Sequence, residues 1–86
     1  MSDHLAAAVK LAPIVERVHG AHHPELTRVR ELTLEIAQSP DAAKRADLFR
    51  QLRSVTGHYT VPSDGCEAFA ATYDALKAAD AEQSAA

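Results

Sequence analysis

The stretch HGAHHPELTRVRELTLEIAQSPD, His19 to Asp41, decides the fold. Within it Leu26, Val29, Leu32, Thr33 and Ile36 recur at three- and four-residue steps, the period of one helical face. Both ends carry the same punctuation. Pro24 suits the first helical position, and Glu25 suits the positive end of the helix dipole. Ser39-Pro40-Asp41 repeats the pattern, with Ser39 expected as the N-cap of the next helix and Pro40 in its first position. The spacing predicts a helix over about 24–37 with a helix on either side. Leu34 lies off the main stripe, which predicts cover on a second side.

Upstream, Leu11, Ile14, Val15 and Val18 sit at helical spacing, with Leu5, Ala8 and Ala12 extending the stripe. A helix over about 3–19 follows, opening at Ser2 or Asp3 and stopped by Gly20. Pro13 predicts a kink, or a stronger helix beginning near Leu11. Downstream, Ala42, Leu48, Phe49, Leu52 and Val55 predict a helix over about 40–56, with Arg45, Arg50 and Arg53 on its solvated side. Gly57 to Pro62 is too rich in breakers to be helical. Asp64 and Glu67 have capping-box spacing, with Ser63 a rival cap, and open a last helix over about 64–79. Cys66, Phe69, Tyr73 and Leu76 form its stripe; Asp80 to Ala86 is expected to fray. No run alternates long enough for a strand. The fold expected is all-α, a small antiparallel up-down-up-down four-helix bundle in one domain, 1–86.

Composition limits what such a bundle can be. The chain has 86 residues, 47% hydrophobic and 24% charged, which is globular. Yet 18 of the hydrophobic residues are alanine, so larger side chains are few. A chain of this size buries only ~60% of its unfolded surface, so a homodimer or a protein partner is expected. The net charge of −3 argues against nucleic acid and against a polybasic membrane anchor. No apolar run approaches the ~20 residues of a membrane-spanning helix. The opening MSDHLAAAVKLAP lacks the basic start of a signal peptide, and the single Cys66 fits a reducing cytoplasm.

Five histidines are the one compositional oddity, and His19, His22 and His23 cluster at the first turn. Imidazoles converging within ~2.0–2.3 Å of one point would hold iron or zinc, so these three are the candidate metal ligands. Turn histidines also commonly end helices or sit in water, and His19 would gain from a helix C-terminus when protonated. Cys66 falls on the apolar stripe, where a thiol acts as a small hydrophobe; its place in a first helical turn leaves a reactive thiol as the other reading. The arginines are offset by acids and read as solvated faces. No phosphate loop, CxxC pair, HExxH or GxSxG occurs.

Two stretches carry a family resemblance. Val18-His19-Gly20-Ala21-His22-His23-Pro24-Glu25-Leu26 resembles the VHGxxHPEL turn of bacterial iron–sulfur cluster repair proteins, which have a di-iron, hemerythrin-like four-helix domain. Leu52 to Cys66, followed by Tyr73 and Leu76, is similar to that family's LRxLTxxYTPPxxAC…Y…L segment. The resemblance implies a hemerythrin-like bundle, but only His19 matches a ligating position. In register, an earlier family ligand falls before Met1, and the His-containing, Glu-rich helix that carries the next ligands is missing between Ile36 and Ser39. The histidine preceding the LRxLT stretch falls on Ala42, and a last His-xxx-Glu pair would start at about Ala86. No His-xxx-Glu pair occurs in the chain. The resemblance therefore implies a shortened relative that keeps the scaffold turns and lacks the di-iron site. The expected function is a non-enzymatic interaction module with no cofactor. A residual single-metal site (iron or zinc) at His19, His22 and His23 is the alternative, and thiol chemistry at Cys66 a third.

Overall fold

Ser2 sets the start of the fold: its Oγ accepts a hydrogen bond from the Leu5 N–H at 3.1 Å, satisfying one of the free donors of the first turn. The computed structural model describes residues 2–85, leaving Met1 and Ala86 outside the described residues. Four helices follow in order: α1 (Asp3–His19), α2 (Glu25–Gln38), α3 (Ala42–Thr56) and α4 (Glu67–Ala85). They form a small all-helical bundle, and no described residue lies in a strand. No helix among the described residues is long and apolar enough to cross a membrane.

Helix α1 runs unbroken through Pro13, beginning at Asp3 rather than near Leu11. Proline has no N–H, so the helix loses one backbone bond there. The buried stripe of α1 is Leu5, Ala8, Ala12 and Val15. Ile14 and Val18, expected inside, stand outside at 39% and 65% exposure. The inner face of α1 thus sets two alanines between Leu5 and Val15.

Pro40 explains where α3 begins. A residue before proline is pushed out of the helical region, and Ser39 accordingly has ψ 124. Ser39 therefore closes α2, its N–H donating to the Ile36 carbonyl at 3.2 Å. Asp41 is the N-cap of α3, accepting from the Ala43 N–H at 3.1 Å. The expected Ser39 cap and Pro40 first turn are thus shifted by two residues, and α3 starts at Ala42.

The long connection between α3 and α4 opens with three successive residues at positive φ: Gly57 at 61°, His58 at 59° and Tyr59 at 64°. Glycine adopts this region freely, whereas each of the other two costs roughly 1–2 kcal/mol. Tyr59 is held there from both ends. Its N–H donates to Thr56 Oγ1 at 2.8 Å, and its hydroxyl donates to Asp80 Oδ2 at 2.8 Å. Asp80 also accepts from Arg53 Nη1, 2.7 Å from each carboxylate oxygen. Arg53 is therefore an ion-pair partner rather than a solvated side chain, and Asp80 is buried. These bonds carry α4 on to Ala85, where fraying from Asp80 was expected.

His19 meets Cys66 at one end of the α1–α4 pair, and Leu5 and Ala79 line one cleft at the other, so the two helices run antiparallel. Helix α3 crosses α4 obliquely. Arg45 reaches Gln83 and Arg53 reaches Asp80, so about two turns of α3 correspond to less than one of α4. Phe69, Tyr73, Leu26, Leu32, Ile36 and Leu52 are the largest fully buried side chains. The buried threonines close their hydroxyls on carbonyls one turn back, Thr33 on Val29 and Thr56 on Leu52, both at 2.7 Å. Among the described residues no buried side-chain nitrogen or oxygen lacks a partner.

Candidate functional site

The turn between α1 and α2 folds over the start of α4 and gathers most of the chemistry-bearing side chains. His22 and His23 donate their backbone N–H groups to the His19 carbonyl at 3.1 and 2.9 Å, and the Leu26 N–H donates to the His23 carbonyl at 3.0 Å. This tight path presents the rings of His19 and His23 to Phe69. Each lies edge-on to it with centroids 5.4 Å apart, and Tyr73 completes the stack at 5.0 Å. Phe69 and Tyr73, expected on the buried stripe of α4, are buried; the ring neighbours of Phe69 are the two histidines and Tyr73, and that of Tyr73 is Phe69. Phe49 instead lines an open cleft of about 390 Å³ near the far end, with Leu5, Ile36 and Ala79 and with Arg45 at its rim.

His23 is fully engaged. Its Nδ1–H donates to Glu25 Oε2 at 3.1 Å, and its Nε2–H donates to Asp64 Oδ1 and Oδ2, both at 2.9 Å. Carboxylates only accept, so this geometry favours the doubly protonated ring. The Asp64 hydrogen bond above all holds the His23 pKa above its ordinary value; burial opposes it, and the Glu25 hydrogen bond adds to the rise. Asp64 is correspondingly held below the usual carboxylate range, chiefly by its hydrogen bond from His23. Asp64 therefore does not form the expected capping box with Glu67. Its carboxylate is committed to a ring 41 residues away in sequence.

Gly65 allows this loop to lie so close. A Cβ there would sit 3.0 Å from Val61 Cγ1, 3.1 Å from the Pro62 carbonyl oxygen and 3.4 Å from Phe69. Cys66 follows, exposed rather than in the apolar stripe, with Sγ 3.1 Å from His19 Nε2. The α4 stripe begins one turn later, at Phe69. The structure thus brings together His19 with Cys66 and His23 with Glu25 and Asp64. Sequence spacing alone could not find His19–Cys66 or His23–Asp64, because each joins the first turn to the distant α3–α4 connection; only His23–Glu25 is local.

The three histidines expected as one donor set are dispersed: His19 turns to Cys66, His23 to two carboxylates, and His22 is exposed. Among the described residues, no three His, Cys, Asp or Glu side chains converge on a point that could hold a metal ion. The residues present do not fit a di-iron centre, which in helical bundles takes several inward-facing carboxylates and histidines from different helices. What the arrangement does chemically is lock three segments together through one imidazolium and one imidazole–thiol contact. Comparison with protein-family models, with characterised proteins and with solved structures finds no match.

Proposed function

We propose that this chain is a non-enzymatic helical interaction module, resembling iron–sulfur cluster repair proteins in its turns but acting without their di-iron centre. One observation carries the reading. Ile14 and Val18 are large hydrophobic side chains left exposed on α1, outside a core that is otherwise closed. Exposed apolar surface flanked by polar residues is the usual mark of an association site. The first-turn cluster supports the same reading, since its donors are satisfied by one another rather than held open for a substrate. The resemblance of the two turns implies a cytoplasmic setting and a partner in iron or stress metabolism.

The alternative, a residual single-metal site, keeps only His19 of the three expected histidines, and one contact favours it. The nitrogen of His19 and the sulfur of Cys66, both metal-binding atoms, already stand 3.1 Å apart. Reconstitution with ferrous iron in air, followed by elemental analysis, separates the readings. No retained iron supports the interaction module. A single ion removed by mild chelation supports the residual site. Two tightly held irons per chain, with an oxo-bridged near-ultraviolet absorption lost on His19→Ala, overturn the proposal.

A further inference from the structure

We infer that the outer face shared by α1 and α4 docks a second copy of this chain, about a two-fold axis parallel to the two helices. The inference rests on the reading of the chain as an association module and names its partner and surface. On α1, Ala7, Ile14 and Val18 recur at seven- and four-residue steps and form one outward stripe beside half-buried Leu11. On α4, Ala71 and Ala78 lie seven residues apart on its outward side, Ala71 exposed and Ala78 half-buried. The face is thus two large side chains on one helix and a shallow alanine surface on its neighbour. Such a face is complementary to itself when α1 of one copy lies on α4 of the other.

Charge selects that arrangement. Lys10 and Arg17 edge the stripe on α1, and Glu67 and Asp74 edge it on α4; all four are exposed. None of them joins an ion pair among the described residues. The register follows from one contact and one shared cleft: His19 meets Cys66, and Leu5 and Ala79 line the same cleft at the far end. Each step up α1 is therefore a step down α4, which puts Arg17 level with Glu67 and Lys10 level with Asp74. A two-fold axis parallel to the helices exchanges the two edges at constant height. Arg17 then faces Glu67 of the second copy and Lys10 faces its Asp74, each pair occurring twice. An axis across the helices would instead set the α1 edges, both basic, against each other. At the far end Asp3 is level with Glu82, a like pair, so the contact centres nearer Ile14 and Val18.

The size of the face sets the strength. Two adjacent helices of this length offer on the order of 500 Å² per copy, so the dimer buries about 1,000 Å² in all. That is the lower end of specific interfaces, and a reversible dimer is expected rather than a permanent one.

Sedimentation equilibrium on the full chain, from about 10 μM to about 1 mM, tests this. A monomer–dimer equilibrium is expected, weakened about tenfold or more by Val18→Glu and by Ile14→Glu, with circular dichroism unchanged. Arg17→Glu and Glu67→Arg should each weaken it about three- to tenfold, and the double variant should restore it. Glu82→Lys should tighten it. A chain that stays monomeric to the highest concentration overturns the inference. A dimer whose constant none of these variants moves also overturns it, while leaving association itself standing. Neither outcome bears on the iron reconstitution, which tests the parent reading separately.

Discussion

The hydroxyl of Tyr59 donates to Asp80 Oδ2 across 2.8 Å, tying a loop residue at φ 64° to the last helix. The same carboxylate accepts from Arg53, so one buried acid secures the end of α3, the start of the long connection and the last turns of α4. Removing it leaves the Tyr59 hydroxyl without an acceptor in a buried position. Asp80→Ala should therefore cost about 1–3 kcal/mol, and Tyr59→Phe, which removes donor and bond together, about 1 kcal/mol. Urea denaturation of both variants checks the order. An unchanged Tyr59→Phe would show that the phenol contributes no more than its ring.

Both tyrosines should resist ionisation. Burial, then the neighbouring Asp80 carboxylate, raises the Tyr59 pKa well above the ordinary tyrosine range. Burial, with Glu25 adding to it, pushes Tyr73 up to about 12. A folded-state value above the unfolded one means stability that is complete below pH 10 and lost as pH rises through the folded value. Absorbance titration of the phenolates should show no step near pH 10, and ionisation should come together with alkaline unfolding. A reversible step at pH 10 with the helical signal intact would contradict the burial.

His23 gives the opposite end of the molecule its own pH dependence. Its pKa is raised above the ordinary 6.5, so the stabilisation it provides is full below that pH and falls as pH climbs through the raised value. Asp64 is depressed below its ordinary 3.8, so its share persists above that pH and is lost on acidification through the depressed value. Melting temperature should therefore decline from pH 6 towards pH 9 in the native chain, and the decline should flatten in His23→Gln. Parallel profiles for the two proteins would remove His23 as the cause.

Phe69 is fully buried between His19, His23 and Tyr73. Phe69→Ala should cost about 3–5 kcal/mol, a large fraction of the total stability of a domain this small. Thermal melting should show a drop of many degrees or loss of the transition, together with loss of the pH dependence assigned to His23. A melting curve like that of the native chain would show that the aromatic stack does not organise the turn.

Cys66 is exposed beside His19 rather than packed in the core. Its thiol should react with a chromogenic disulfide in the native protein, one equivalent per chain, without denaturant. A thiol that reacts only after unfolding would return Cys66 to the apolar stripe.

How much of this was legible in the chain follows from the range of each interaction. The stripe of α2 from Leu26 to Ile36 is a property of neighbours three and four residues apart, so its buried face could be read directly, as could the helical class. Gly57 closing α3 is equally local. Other features are local but competitive: Pro40 forces Ser39 out of the cap and hands the role to Asp41, an outcome that depends on which residue reaches the first free N–H. The rest is set by contacts across the molecule. Whether Ile14 or Ala12 faces inward depends on which helix packs against α1, because each belongs to a set at helical spacing, Ala12 with Val15 and Ile14 with Leu11 and Val18. Asp80 is a polar residue in an alanine-rich tail until Arg53 and Tyr59 meet it, and Asp64 is a plausible helix cap until His23 takes its carboxylate. Cys66 belongs to an apolar stripe by period, yet α4 begins only at Glu67, and the first-turn histidine draws the thiol outward. Periodicity determined that four helices form and which hydrophobic residues could be buried. Only the tertiary structure decided which of them are, because burial and charge pairing depend on groups that the sequence holds tens of residues apart.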